Sequence, residues 1–144
     1  MNAKKLSSEI IEVVPDVMRI IRDEMRGGAL SDLSMGQFRI LAKLDRQPQS
    51  NKQLAEWVGI STAAMSRTIE LMVGLGYIQR KAAVEDRREV VLGLTPQGRK
   101  KYESIKELAQ LKLASRLGGY PAEDLKKLHR SLQFLSEVFS AKKK

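Results

Sequence analysis

Residues 54–61 read Leu-Ala-Glu-Trp-Val-Gly-Ile-Ser, and this stretch decides how the surrounding chain is interpreted. Gly59 can adopt the left-handed backbone conformation that commonly ends a helix. Ser61 is a favourable N-cap residue, so a second helix is expected to begin directly after the turn. The side chains predicted to pack the two helices together are Leu54, Ala55 and Ile60. Two short helices joined by a tight turn that contains glycine form a helix-turn-helix.

The helices on both sides of this turn have recognisable start signals. Ser50-x-x-Gln53 is a capping box, which predicts a helix from Asn51 to Val58. A second capping box, Ser34-x-x-Gln37, predicts another helix upstream. The helix capped by Ser61 is predicted to continue to about Leu75, with one apolar face. That face consists of Met65, Ile69 and Met72.

After Gly76 the pattern changes from helical to strand-like. Residues 77–81 and 89–94 are rich in β-branched and aliphatic side chains, whereas residues 82–88 are mostly polar. This arrangement predicts two strands joined by a hairpin loop. Thr95-Pro96 then supplies an N-cap residue followed by proline in the first helical turn, so a long helix is expected next.

Three further helices are predicted outside this central region. Residues 6–25 have apolar side chains at helical spacing, and Pro15 either kinks that helix or lies in its first turn. The helix after Thr95 is expected to end at Gly118-Gly119, and the last helix to begin at Pro121. The predicted inward positions of the former are Tyr102, Ile105, Leu108, Leu111 and Leu117. The apolar positions of the latter are Leu125, Leu128, Leu132, Leu135 and Phe139.

The composition limits the class of protein. The chain has 144 residues, 42% of them hydrophobic, which suffices for a single domain with a real core. It has no cysteine, which excludes disulfides and thiolate metal sites, and it has no long apolar run or signal-peptide pattern, so we expect a cytoplasmic protein. The net charge of +9 favours a polyanionic partner, although a basic surface can also serve solubility alone.

The helix after the turn carries the residues expected to contact DNA. A recognition helix enters the major groove by its N-terminal end, where small side chains allow close approach and an arginine can reach guanine or phosphate. The small residues are Ser61, Thr62, Ala63, Ala64 and Ser66, and Arg67 is the arginine. The alternative is an ordinary helical hairpin with one surface arginine.

The predicted hairpin is also basic. Arg80, Lys81, Arg87 and Arg88 lie on it, and arginine suits a narrow minor groove, where the negative potential is enhanced. A hairpin beside a recognition helix would be a wing that reaches the adjacent groove. The alternative is a solvated hairpin whose charges only discourage aggregation of the strand edges.

Several motifs resemble the MarR family of winged helix-turn-helix regulators. Residues 33–41 resemble that family's second helix, and residues 53–61 its helix-turn-helix. Asp86-Arg87-Arg88 followed by Leu94-Thr95-Pro96-Gln97-Gly98 is similar to its wing and to the start of its next helix, and is the most specific part of the resemblance. Residues 71–75 are less polar than is usual in the family at the back of the recognition helix.

The resemblance implies a mainly α fold with a small β wing in a single domain, residues 1–144. Residues 31–99 would form the winged helix-turn-helix, and residues 1–30 and 100–144 the dimerisation helices of a homodimer. It implies that Arg88 is the wing arginine, with Asp86 supporting it. The residues that fall on the family's recognition-helix contact region are Ser61, Thr62, Ala63, Ser66 and Arg67.

The resemblance also implies an effector site where the dimerisation helices meet the winged lobe. Segments 10–22 and 38–44, and the start of the helix after Thr95, offer apolar walls and a few cations, which would suit a small aromatic or anionic ligand. The cations are Arg19, Arg22 and Arg39. The rival interpretation is a packed junction without room for a ligand.

The favoured function is therefore a dimeric, sequence-specific transcriptional regulator, a repressor on a pseudo-palindromic operator. The alternatives are an effector-independent DNA-binding structural protein and a protein–protein interaction module. An enzyme is not expected, because no catalytic set, phosphate-binding loop or dinucleotide motif is present, and no cofactor is expected. His129 is the only histidine, so a metal site is not expected either.

Overall fold

The computed structural model describes residues 1–26, 33–83 and 88–140 of the chain. The described part contains six α-helices and two β-strands, arranged in the order αααα-ββ-αα. The elements are α1 (Ala3–Arg26), α2 (Met35–Arg46), α3 (Asn51–Val58), α4 (Thr62–Gly74), β1 (Ile78–Ala82), β2 (Val90–Leu94), α5 (Pro96–Leu117) and α6 (Ala122–Ser140). The predicted fold class, mainly helical with a small β wing, is confirmed.

The chain divides into two compact units, residues 1–109 and residues 110–144. The first unit contains the hydrophobic core, to which α2, α3, α4, both strands and the first half of α5 contribute. Its fully buried large side chains are Leu41, Leu54, Met65, Ile69, Met72, Ile78 and Ile105. Each such side chain contributes about 1.5–3 kcal/mol of transfer free energy, so this cluster is the main source of stability in the unit.

The predicted capping boxes are both present. At the start of α2, the Ser34 hydroxyl accepts from the Gln37 backbone N–H at 3.2 Å, and Gln37 Oε1 accepts from the Ser34 N–H at 2.9 Å. Ser50 and Gln53 make the same pair of bonds at the start of α3, at 3.1 and 2.8 Å. These bonds satisfy N–H groups that a helix terminus leaves without partners, and they fix where α2 and α3 begin.

The turn between α3 and α4 agrees with the sequence in its backbone and differs in one side chain. Gly59 has φ of 84°, in the left-handed region, and its N–H donates to the Ala55 carbonyl at 2.8 Å. Leu54 and Ala55 are buried as predicted. The prediction that Ile60 locks the two helices together is wrong, because Ile60 is 40% exposed.

The two strands form an antiparallel hairpin whose register runs from Ile78 opposite Leu94 to Ala82 opposite Val90. Gln49, in the loop before α3, extends this sheet by a bridge to β2. Its N–H donates to the Leu92 carbonyl at 3.2 Å, and its carbonyl accepts from the Leu92 N–H at 2.7 Å. The base of the wing is thereby attached to the entrance of the helix-turn-helix.

Thr95 and Gly98 join the hairpin to the end of α4. The Thr95 hydroxyl donates to the Gly76 carbonyl at 2.5 Å and accepts from the Gly98 N–H at 2.9 Å. A Cβ atom on Gly98 would lie 2.0 Å from the Tyr77 carbonyl oxygen, so only glycine allows this approach. The Leu-Thr-Pro-Gln-Gly motif is therefore a structural joint between α4, β2 and α5.

The outer helices leave much of their apolar surface exposed. Helix α1 is continuous through Pro15, so the alternative in which it begins at that proline is wrong. In α5, Tyr102 and Ile105 are buried as predicted, but Leu108 and Leu111 are exposed in the single chain, contrary to the prediction that they point inward. In α6, no described side chain is buried. No helix in the described ranges is long and apolar enough to cross a membrane.

Candidate nucleic-acid interface

Helix α4 separates buried and exposed residues sharply. Met65, Ile69 and Met72 anchor one face in the core, as predicted. Ser61 caps the helix, because its hydroxyl accepts from the Ala64 N–H at 3.1 Å. The five residues predicted to contact DNA are all exposed at the N-terminal half of this helix: Ser61, Thr62, Ala63, Ser66 and Arg67. The structure thus brings the predicted contact residues together on one surface, which we call the α4 face.

Asn51, at the first position of α3, is a site residue that the sequence analysis missed. Its side-chain Nδ2 donates to the Thr62 carbonyl and to the Ser66 hydroxyl, at 3.2 Å in both cases. The Ser66 hydroxyl in turn donates to the Thr62 carbonyl at 2.9 Å. This cluster ties the start of α3 to the first turn of α4. No sequence signal could have revealed it, because the partners lie 11 and 15 residues away.

Two arginines near this face differ in their availability. Arg67 is exposed and makes no hydrogen bond or ion pair to another residue of the described ranges, so its five N–H donors remain available. Arg80, on β1, pairs with Glu70 of α4 at 2.5 Å. The Arg80 charge is therefore compensated within the protein, and the pair connects the wing to α4.

The described part of the wing places Arg88 in the exposed turn that leads into β2. Lys81 is also exposed, on β1. The predicted contact residue Arg87 and the predicted supporting acid Asp86 lie outside the described residues. The wing therefore has an exposed cation, Arg88, in the turn before β2. The Arg80–Glu70 pair connects the hairpin to α4.

Comparison with known proteins identifies this arrangement. Residues 33–90, which comprise α2, α3, α4 and the hairpin up to the first residue of β2, match the model of the MarR family. Residues 33–90 are thus similar to the winged helix-turn-helix of the MarR family. The resemblance inferred from the sequence motifs is thus confirmed.

Similarity to MarR-family and related proteins extends beyond the winged region. The chain is 27% identical over its full length to YfiV of Bacillus subtilis, an HTH-type transcriptional regulator, and covers 93% of that protein. The crystal structure of RV1404 from Mycobacterium tuberculosis is similar, with a TM-score of 0.81 at 21% identity, over 96% of this chain and 94% of that one. FabT of Streptococcus pneumoniae, crystallised with DNA, gives a TM-score of 0.73 at 19% identity, over 99% of this chain and all of that one. These structural similarities show the shared fold.

Beside α4 lies a cleft of about 270 Å³ between α3, α4 and the hairpin. It is lined by Asn51, Ser66, Ile69, Arg80, Val90 and Leu92. Asn51 Oδ1 is buried and has no hydrogen-bond donor among the described residues. The cleft therefore adjoins the cluster that holds the first turn of α4.

Two of the three arginines predicted to bind an effector already have partners in the described ranges. The Arg39 guanidinium lies 5.0 Å from the centre of the Trp57 ring, and Lys43 lies 5.1 Å from the same ring. Arg19 lies 3.9 Å from the Asp16 carboxylate on its own helix, and both side chains are largely exposed. Arg22 is exposed. An effector pocket built on these three cations remains a prediction.

Trp57 of α3 has the ring that Arg39 and Lys43 both contact. It is 40% exposed, and the two cations of α2 cover its ring. Cation–π contacts of this kind contribute about 0.5–1 kcal/mol at exposed sites, so they fasten α2 to α3. In the described ranges, no group of three His, Cys, Asp or Glu side chains could hold a metal ion.

Proposed function

We propose that this MarR-family transcriptional regulator binds, as a homodimer, a pseudo-palindromic DNA operator through α4 and the wing. One observation carries the proposal: the α4 face presents small residues and an arginine that has no hydrogen-bond or ion-pair partner in the described ranges, on a helix anchored by fully buried side chains. A rigid helix with a small, polar N-terminal end can approach base edges closely. We further propose that the regulator acts as a repressor, since a dimer on its operator would exclude other proteins from that DNA.

The α4 face is suited to reading sequence. Arg67 has a guanidinium that can make two hydrogen bonds to the O6 and N7 atoms of guanine, a contact that contributes about 1–3 kcal/mol of discrimination. Ala63 and Thr62 add no bulk that would hold the helix away from the groove. Met65 and Ile69, on the opposite face, hold the orientation of the helix against the core.

The wing supports the proposal from a second element. Arg88 is exposed on the hairpin, which lies next to α4 in the fold and is tied to it by the Arg80–Glu70 pair. We propose that Arg88, together with Arg87, contacts the groove beside the one that α4 enters, with Asp86 supporting the loop. Arginine is favoured there because a narrow minor groove concentrates negative potential.

The exposed apolar surface of the outer helices supports a homodimer. Leu132 and Phe139 of α6 are 56% and 70% exposed, and Leu111 of α5 is 64% exposed. Helix α1 adds Ile11 and Val13. Apolar surface on this scale is unfavourable in a monomer, and closed two-fold pairing is the commonest way in which a single chain covers it.

We also propose that a small aromatic or anionic effector modulates DNA binding. Support comes from the cations Arg19, Arg22 and Arg39, which lie on α1 and α2 beside apolar side chains. An effector that prefers a dimer geometry incompatible with the operator would weaken DNA binding by that preference. Absence of any such compound would favour the effector-independent DNA-binding protein.

Selection of bound duplexes from a random pool tests the proposed function. We expect enrichment of an inverted repeat whose half-sites lie about one helical turn apart, because a two-fold dimer places two α4 helices on one side of the duplex. A parallel selection with the Arg67→Ala variant is the control, and it should enrich that repeat weakly. Enrichment of no sequence, or of a sequence without symmetry, would contradict the proposal.

A further inference from the structure

The two serines of the α4 face differ in what their hydroxyl groups can still do. The Ser66 oxygen lies 2.9 Å from the Thr62 carbonyl oxygen and 3.2 Å from Asn51 Nδ2. A carbonyl can only accept, and an amide nitrogen can only donate. The direction of both hydrogen bonds is therefore fixed by chemistry: the Ser66 proton goes to Thr62, and one Ser66 lone pair accepts from Asn51.

These directions determine how many hydrogen bonds the Ser66 hydroxyl can still make. A serine hydroxyl has one proton and two lone pairs. Ser66 has used its proton and one lone pair inside the protein, so one lone pair remains on an exposed side chain. Ser61 is the opposite case, because its oxygen accepts from the Ala64 N–H while its proton has no acceptor among the described residues. Ser61 can donate to a ligand, whereas Ser66 can only accept.

Asn51 holds this arrangement in place. Its Nδ2 group donates to both Thr62 and Ser66, and its Oδ1 atom is buried. Reversing the amide would place Oδ1 against the Thr62 carbonyl, so that two acceptors would face each other without a proton. The reversed orientation would also remove the donor from Ser66. The amide therefore has a single favourable orientation, and that orientation fixes the Ser66 hydroxyl.

We propose that Ser66 is an acceptor-only reader of the major groove that selects an exocyclic amino group, and that Asn51 is the positioning residue that enforces this polarity. The proposal rests on the proposed function of α4 in DNA recognition. In the major groove the donors are the N4 amino group of cytosine and the N6 amino group of adenine. Guanine O6, guanine N7 and thymine O4 are acceptors, and so are phosphate oxygens. Ser66 therefore selects sequence and makes no hydrogen bond to the DNA backbone.

Base analogues without the amino group test this assignment directly. In the duplex enriched by the wild-type protein, each adenine is replaced in turn by purine and each cytosine by 2-pyrimidinone, and the Kd is measured. We expect one position in each half-site at which removal of the amino group weakens wild-type binding roughly 5- to 100-fold. In the Ser66→Ala variant, the same removal should cause no further loss.

Matched variants separate the hydroxyl polarity from general effects. Ser104→Ala, on α5, removes a serine hydroxyl that donates to the carbonyl four residues earlier, as Ser66 does, and should keep the wild-type sensitivity to the amino group. Ser66→Ala places a strong helix former at an exposed position, so this variant is expected to remain folded. Asn51→Ala should reduce the sensitivity several-fold, because the Ser66 hydroxyl is then free to rotate; its thermal unfolding is recorded alongside.

The outcomes distinguish this inference from the proposed function. If Ser66→Ala instead removes sensitivity to 7-deazapurines, which lack the N7 acceptor, the assigned polarity is wrong. If Ser66→Ala changes the response to no analogue, Ser66 is not a reader, although α4 can still bind DNA. If folded Asn51→Ala keeps the full sensitivity, Asn51 does not position Ser66. Failure of the wild-type protein to enrich any duplex would instead overturn the proposed function.

Discussion

The winged region and α6 have similar apolar patterns in sequence, but the winged region buries its apolar side chains and α6 leaves them unburied. Helices α2, α3 and α4 bury theirs in one core, where Leu41 is completely inaccessible. Helix α6 has leucines at equally regular spacing and buries none of them. Helical periodicity therefore identifies the apolar face of a helix. It does not show whether the same chain or a second copy covers that face.

The largest expected effect comes from the core. Leu41→Ala should reduce the free energy of unfolding by about 2–5 kcal/mol, because it removes buried methyl groups and leaves a cavity. The exposed control, Leu71→Ala on α4, should cost much less, because this side chain is 53% exposed. Denaturant unfolding of both variants measures the difference, and equal losses would mean that burial in the single chain does not determine the cost.

Substitution by alanine at two glycines of the winged region should change the stability in opposite directions. Gly98→Ala should destabilise the protein by about 1–3 kcal/mol or more, because the new Cβ atom would meet the Tyr77 carbonyl oxygen 2.0 Å away. Gly74→Ala, at the end of α4, meets nothing within 4 Å and should stabilise the protein by roughly 0.5–1 kcal/mol. Thermal unfolding measures the change in Tm for both variants. If both Tm values shift in the same direction, the close approach of Gly98 to Tyr77 is not what holds α4, β2 and α5 together.

A charge introduced into α6 should weaken dimer association and leave the hydrophobic core of the winged region unchanged. Leu132→Glu is expected to raise the dimer dissociation constant at least about 10-fold, which corresponds to ~1.4 kcal/mol, because the charge would be buried in the apolar interface. Light scattering over a concentration series gives the constant. Lys127→Glu, on the same helix but exposed and polar, is the control. Unchanged association of the Leu132 variant would place the dimer interface elsewhere.

The smallest effect is expected at the base of the wing. Glu70→Gln should cost no more than about 1 kcal/mol of stability, since the Arg80–Glu70 pair is largely exposed to solvent. The same change removes a negative charge from α4 and frees Arg80, so DNA affinity should rise slightly at low salt. A titration at two salt concentrations detects this, and a large loss of stability would show that the pair does more than connect two elements.

Local signals made much of the winged region predictable. The capping boxes at Ser34 and Ser50, the left-handed Gly59 and the Met65–Ile69 face of α4 all involve residues within a few positions of one another, and all are present as expected. The exposure of the five predicted contact residues on one face of α4 was predictable for the same reason. Short-range hydrogen bonds and helical periodicity join residues that are close in sequence, so both can be predicted from the sequence alone.

Features that depend on distant partners were not predictable. Asn51 contacts α4 through space, and Arg80 is compensated by Glu70, ten positions earlier in the chain. Leu111 has the spacing of a core residue, yet it is exposed in the single chain. In the Leu-Thr-Pro-Gln-Gly motif the resemblance to the family was visible, but its physical reason, the close approach of Gly98 to Tyr77, required the structure.

We propose that α4 reads DNA through Arg67, which has no hydrogen-bond or ion-pair partner in the described ranges. The most direct test measures the Kd of wild-type protein, Arg67→Ala and the charge-matched control Lys100→Ala on the selected duplex and on a scrambled duplex of equal composition. We expect Arg67→Ala to lose roughly 1–3 kcal/mol on the selected duplex and much less on the scrambled one, with Lys100→Ala close to wild type on both. Equal losses for the two variants on both duplexes would contradict the claim, because Arg67 would then contribute only charge.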